Sequence, residues 1–362
     1  MVRLPSFFFL AVLAYSTASI SQTSLSVAPV PTDPLELATG PTKVLDTPQD
    51  RSAILELVER ARQNFDMHAA GTPPFELKVS FDASGRVAYT GPGEMEETWF
   101  SAQRGRWSAH LGAYSQTRIF AGGRAFDSKT PGGIPMRVQM VRGSIFWPIV
   151  GSAPHALMKA TPANWKGVDV VCALFSGGLN AAVPTTGRQW QETEYCFDPK
   201  SSLLMTYSEA PGIYVSYDYS NALSFHGRVI PRTVSVVENS STVLSIHVDS
   251  LKDAGAVDQT LFTPTAEMIA QGPGAMLSLP YRFPRFTPAP SGYKGPVQPM
   301  IVHATVGQDG RVLEAEALQT SDTLLSDSAL DLVRNASWPF AADRVPWQRE
   351  MFVNVQFVPQ RQ

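Results

Sequence analysis

Phe75-Glu76-Leu77-Lys78-Val79-Ser80-Phe81 decides how this chain is read. Phe75, Leu77, Val79 and Phe81 alternate with polar residues, so a strand here buries one face and leaves the other in water. The same period-two texture returns at 94–102, 106–111, 116–121 and 124–128. Turn chemistry separates the runs, at Ser84-Gly85, Gly91-Pro92-Gly93, Arg104-Gly105 and Gly122-Gly123. Short strands with tight turns predict an antiparallel meander. After a helical interlude expected near 153–159, it resumes at 168–175, 189–197, 203–208, 213–219, 228–238 and 242–252. One amphipathic helix precedes it, with Ile54, Leu55, Leu57, Val58, Ala61 and Phe65 on one face and Asp50 as the expected N-cap. The fold class expected is α+β: a large curved antiparallel sheet, an unclosed barrel wrapped round helices, plus a small β-β-α-β unit at the C-terminus.

That unit begins after a proline-rich stretch. Met300, Val302, Ala304 and Val306 alternate with Ile301, His303 and Thr305, and Gln308-Asp309-Gly310 supplies a hairpin turn. Leu313, Ala315 and Ala317 form a second alternating run. Leu325, Ala329, Leu332, Val333 and Ala336 follow at helical spacing, and Ser337-Trp338-Pro339-Phe340 ends the helix. Met351, Val353, Val355 and Phe357 make a last strand. The expected division is a leader at 1–21, a Pro-rich flexible segment at 22–49, the curved-sheet domain at 50–265, a Pro-rich linker at 266–294 and the terminal unit at 295–362.

The terminal unit resembles the C-terminal domain of the TonB family of periplasmic energy transducers. The resemblance is carried by Val302-x-x-x-Val306-x-x-Asp309-Gly310-x-Val312, Ser328-Ala329-Leu330-x-x-Val333-Arg334, Trp338-x-Phe340 and Val353-x-Val355-x-Phe357. It implies recognition of an envelope protein partner by β-strand addition, with Arg349, Met351, Phe352, Val353, Asn354, Val355, Gln356 and Phe357 as the pairing edge. A generic α+β domain of like topology is the alternative. The chain departs from the family where a folded domain replaces the long spacer. The larger domain is similar to the LolA lipoprotein carriers in Tyr195-Cys196-Phe197-Asp198-Pro199, Phe225-x-Gly227-x-x-Ile230-Pro231 and Asp258-x-x-Leu261-Phe262-x-Pro264. That similarity implies a lipid or acyl ligand. An unrelated β-sandwich or barrel is the alternative.

The chain has 362 residues, 44% of them hydrophobic, enough for two cores. A net charge of −3 gives no electrostatic case for nucleic acid. Arg3 followed by the apolar run at 7–14 and small residues at 16–21 reads as an export signal, with periplasmic or secreted localisation, or an inner-membrane anchor if uncleaved. In an exported chain the two cysteines, Cys172 and Cys196, are expected to pair across neighbouring strands; two buried free thiols are the alternative.

Chemistry is sparse. His68, His110, His155, His226, His247 and His303 share no metal-ligand spacing, and no Walker loop, dinucleotide fingerprint or nucleophile elbow occurs. Neither cofactor, metal nor catalytic residue is expected. Glu94/Glu96/Glu97 and Glu192/Glu194 read as solvated faces. Trp99, Phe100, Trp107, Tyr114, Phe120, Phe126, Phe146 and Trp147 crowd the first half of the meander, as an ordinary core or as the lining of an apolar site. The main functional expectation is a non-enzymatic envelope interaction protein, and the alternative is a periplasmic carrier or sensor of lipid or lipoprotein.

Overall fold

The computed structural model describes residues 41–87, 89–128, 134–149, 157–176, 188, 192–210, 212–271, 281–294, 300–307, 309–318, 322–338 and 349–358. The expected leader, residues 22–40 of the N-terminal segment, and 272–280 of the expected linker lie outside these. In chain order the elements are β1 (Lys43–Val44), α1 (Pro48–Phe65), β2 (Phe75–Ala83), β3 (Gly91–Ser101), β4 (Arg104–Leu111), β5 (Tyr114–Ala121), β6 (Arg124–Asp127) and α2 (Met136–Phe146). Then come β7 (Leu157–Trp165), β8 (Val168–Ser176), β9 (Thr193–Phe197), β10 (Leu204–Ala210), β11 (Ile213–Asp218), β12 (Leu223–Phe225), β13 (Arg228–Ile230), β14 (Thr233–Glu238) and β15 (Ser241–Asp253). A short 3-10 turn (Gln259–Phe262) and β16 (Ile269–Ala270) lead to β17 (Tyr281–Pro288), β18 (Met300–Val306), β19 (Val312–Leu318), α3 (Thr323–Asn335) and β20 (Arg349–Val358).

Helix α1 starts two residues before the expected cap. The Thr47 hydroxyl accepts the Asp50 amide at 3.2 Å, and Pro48 occupies the first turn, where its missing N–H is no loss. Fourteen strands form one sheet in the order β1-β7-β8-β9-β10-β11-β14-β15-β2-β3-β4-β5-β6-β16. Its first meander strand, β2, pairs antiparallel with the late strand β15, from Ala83↔Leu244 to Phe75↔Asp253. This joins the two runs of strands into one curved wall. β1 and β16 stand at the ends without closing on each other, so the barrel is open.

The main core sits on the concave face. Phe75, Leu77, Val79 and Phe81 of β2 meet Met95 and Trp99 of β3, Trp107 of β4, Phe197 of β9 and Ile246 of β15, with Leu57, Val58, Ala61 and Phe65 of α1 packed on them. Gly93 is required there, because a Cβ would stand 2.3 Å from the Phe81 ring and 2.8 Å from the His110 carbonyl.

All eleven residues of α2 are buried. A helix enclosed on every side carries no polar stripe, so it leaves no helical periodicity in the sequence. That is why the helical interlude was expected near 153–159. Lys159 instead lies in β7, and 153–156 are outside the described residues.

The terminal unit contains the expected strands and helix, with two corrections. First, its sheet runs β17-β20-β18-β19. β20 pairs in parallel with β17, from Tyr281↔Met351 to Pro288↔Val358, and antiparallel with β18, from Met300↔Val355 to Val306↔Arg349. The expected edge, Arg349 to Phe357, is therefore an interior strand with both of its ladders in use. The reason is visible in its side chains: Met351, Val353 and Val355 are buried on one face and Phe352 on the other, as a central strand requires. The flanking strand β17 comes from the stretch assigned to the linker, and its Pro284 and Pro288 suit an edge position.

Second, the unit is not separated from the body. Met300, Val302, Ala304, Val306, Val353 and Val355 pack with Leu325, Ala329, Val333 and Trp338 in one core. The opposite face contributes Ile301, Leu318 and Phe352 to the main core. The Met136 amide at the start of α2 donates to Glu350 Oε2 at 2.7 Å. The small sheet is thus held between α3 and the body.

Candidate ligand-binding site

Three of the polar clusters buried among the described residues frame the candidate site, and the first leaves several donors without partners. It gathers on the concave face, where alternation along β3 points Met95, Glu97 and Trp99 inward. Glu97 was expected on a solvated face with Glu94 and Glu96. Those two are exposed, but Glu97 is one residue out of their phase and is only 3% exposed. Its Oε1 meets His68 Nε2 at 2.6 Å, and its Oε2 accepts from Arg142 Nη2 at 2.8 Å. His68 is delivered by the turn after α1 and Arg142 by α2. Burial pushes the Glu97 carboxyl up in pKa, but the Arg142 charge and His68 outweigh it and hold it at about 2.

Aromatic rings surround this charge. The Arg142 guanidinium lies 4.8 Å from the Trp107 ring centre, 5.2 Å from Trp147 and 5.7 Å from Phe146. His68 stacks on Trp147 at 5.4 Å, and Phe75 stacks on Trp99 at 5.7 Å. Arg142 Nε and Nη1, Trp107 Nε1 and His68 Nδ1 are buried with no hydrogen-bond partner. On the other arm of the concave face, Tyr195, Tyr207 and Tyr217 stack in a ladder at 5.8 and 6.3 Å, under Phe65 of α1. The Tyr217 hydroxyl donates to the Ser144 carbonyl of α2 at 3.1 Å.

The second cluster lies at the seam with the terminal unit. Arg137 donates two bonds to Glu238, at 2.6 and 3.0 Å, and one to the Ser84 carbonyl. His303 Nδ1 of β18 stands 3.6 Å from Glu238 Oε2. Burial raises the Glu238 pKa, but His303 and Arg137 together bring it down to about 2.

The third cluster is on the convex side. Cys172 and Cys196 face each other across β8 and β9 and are bonded, with Cα atoms 3.9 Å apart, among Trp165, Val170 and Leu174. Glu192 and Glu194, expected in solvent, are both 2% exposed. Lys159 Nζ meets Glu192 Oε1 at 2.9 Å, and Arg188 donates to the Ser208 hydroxyl at 2.6 Å. Glu194 approaches both sulfurs, but their mutual bond leaves no thiolate for a metal.

Of the crowded aromatics, Trp99, Trp107, Tyr114 and Phe146 are buried on the concave side, whereas Phe100 packs on Phe262 of the 3-10 turn. Sequence reasoning missed His68, Glu97, Arg137 and Arg142 as a group. The available signal was two arginines inside the apolar segment Met136–Phe146, where unpaired charge is costly.

No family model matches the chain, and no curated protein does. Nothing therefore supports a TonB C-terminal domain beyond the element order. Solved structures do match in part. A LolA-superfamily protein from Nitrosomonas europaea is 10% identical, covers 58% of this chain and 97% of its own, with a TM-score of 0.37. An outer-membrane lipoprotein-sorting protein domain from Vibrio parahaemolyticus is 5% identical, covers 57% and 95%, with a TM-score of 0.34. A MucA/MucB complex from Pseudomonas aeruginosa is 11% identical, covers 74% and 89%, with a TM-score of 0.29. At these scores nothing about function follows from the likeness.

Proposed function

We propose that this protein is an exported, non-enzymatic carrier or sensor that holds an apolar or acylated ligand against the concave face of its large sheet. One observation carries the reading: both arms of that face are aromatic walls, Phe75, Trp99 and Trp107 on one and Tyr195, Tyr207 and Tyr217 on the other, and both lie under helices α1 and α2. Helix α2 is tied to the sheet partly by polar bonds, at Glu97, Glu238 and Tyr217, which can exchange partners without leaving a large dry void. Acyl chains are apolar and flexible enough to take over side-chain contacts between such a helix and an aromatic wall.

The test is tryptophan fluorescence of the purified mature chain titrated with dibrominated stearoyl probes, since bromine quenches only at contact range. Saturable quenching at about one probe per chain is expected. Quenching no stronger than that of a free tryptophan amide control would sink the reading.

A second reading keeps a protein partner at the terminal unit. The free edge among the described residues of that sheet is β19 on one side and β17 on the other, with Leu313 of β19 52% exposed and Phe286 of β17 66% exposed. Pull-down from envelope extract with wild type and Leu313→Pro tests it. Equal recovery by both would remove the β19 edge from consideration.

A further inference from the structure

We propose that Arg142 and Trp107 form a donor-only cradle that takes the carbonyl oxygen of an ester- or amide-linked acyl group, and so fix where the head of the ligand sits. This rests on the carrier reading above and adds the chemistry of the group that the site recognises.

The cradle is defined by donors that the protein leaves unused. Arg142 is 1% exposed and has five N–H groups. Nη2 serves Glu97, while Nε and Nη1 have no partner. Trp107 is 0% exposed, and its indole N–H is likewise unpartnered. The aromatic rings around Arg142 stabilise its charge through their faces but supply no lone pairs. Buried donors without acceptors cost about 1–3 kcal/mol each, so a site that keeps several together gains from an added acceptor.

Charge selects which acceptor. Arg142 is already balanced by Glu97 at 2.8 Å, and nearby Arg118 is balanced by Asp127 at 2.7 Å. A carboxylate or phosphate would bring a second negative charge beside Glu97, whereas a carbonyl brings two lone pairs and none. His68, 20% exposed, and the partly buried Trp147 stack on each other and are the least buried members of the cluster, and Arg142 packs against Trp147. An acyl group attached to a larger polar body can therefore place its carbonyl at Arg142 and its chain along Phe75, Phe146 and Trp99.

The experiment uses the full mature chain and four probes with the same dibrominated C18 chain: the methyl ester, the glycinamide amide, the free acid and the alkane. In wild type, ester and amide are expected to bind about tenfold tighter than the alkane, the value of roughly one hydrogen bond. The free acid is expected to bind more weakly than the ester at pH 8. In the double variant Glu97→Gln/Arg142→Met, which removes the two charges together, the ester and amide should lose that advantage over the alkane. Trp107→Phe keeps the ring and removes one donor, so it should shift the preference in the same direction even if the double variant does not fold. Ester preferred over amide points to a lipid, and equal binding admits an acylated polypeptide too; both support the cradle. Unchanged preference in both variants, or tightest binding of the acid, would overturn the cradle and leave the carrier reading standing. Failure of all four probes to bind wild type would remove both.

Discussion

Lowering the pH from 7 to 3 should weaken the seam between body and terminal unit through one carboxylate, Glu238. Its folded pKa is about 2 against an ordinary value of 4.5. A depressed carboxylate pKa stabilises the fold above the unfolded value, and that stabilisation is lost as pH falls through the folded one. The full difference corresponds to about 3 kcal/mol, and about 2 kcal/mol of it disappears between pH 7 and pH 3. The physical source is the buried pair: Arg137 is 1% exposed and donates twice to Glu238, and His303 approaches from β18.

Glu238→Gln removes the titrating group while keeping its shape. At pH 7 the variant should be less stable by several kcal/mol, roughly 3–5, because it strands the buried Arg137 charge. The decisive quantity is the slope, not the offset. Urea unfolding at pH 7, 5, 4 and 3 should show a drop in stability about 2 kcal/mol smaller in Glu238→Gln than in wild type. Tryptophan emission follows both parts at once, because Trp107 lies in the body and Trp338 in the terminal unit. Identical pH dependence in the two proteins would refute the assignment of this carboxylate as the acid-labile link. Glu97, also held at about 2, contributes to the body in the same way, so Glu97→Gln should flatten the curve as well.

Three further outcomes are expected. Replacing Cys172 and Cys196 by alanine opens a closure spanning 24 residues and should cost about 3 kcal/mol; calorimetry showing an unchanged midpoint would contradict it. Gly93→Ala should cost about 1–3 kcal/mol, since its Cβ meets both the Phe81 ring and a backbone carbonyl, and denaturant melts that match wild type would show that β2 and β3 can give way. Val355→Asp places a charge between α3 and the small sheet, where Val355 is fully buried, and should cost several kcal/mol; limited proteolysis should then cut within α3, and a protected helix would count against the packing described.

The sheet was legible in the sequence because its strands are half-buried. Phe75 to Phe81 and Met95 to Trp99 alternate cleanly, and both ends of the meander carry glycine turns. The elements that escaped are those whose environments are uniform. Met136–Phe146 is enclosed on every side, so its sequence shows neither a polar stripe nor a period. β7 was hidden in the same way, because Lys159 and Thr161 face a buried convex cluster and not water. β17 was masked by prolines that suit an edge but read as linker. The candidate site was illegible for a different reason. His68, Glu97, Trp107 and Arg142 come from four separate elements, and only the curvature of the sheet around α2 brings them together.

The placement of β20 changes what the terminal unit can do. A domain on a flexible tether offers an edge to any partner within reach, and its own fold needs one buried face. This unit buries two: Val302, Val353 and Val355 against α3, and Ile301, Leu318 and Phe352 against the body. Its inner face also carries His303, which stands 3.6 Å from Glu238, and Glu350, which accepts from the first amide of α2. Arg137 and Arg142 lie five residues apart on that one short helix, the first turned to the seam and the second to the aromatic cluster. Any ligand that shifts α2 to reach Arg142 must therefore move Met136 and Arg137 against the small sheet. The concave face and the docking of the terminal unit share one mechanical element, an eleven-residue helix tied to Glu238 through Arg137 and to Glu97 through Arg142.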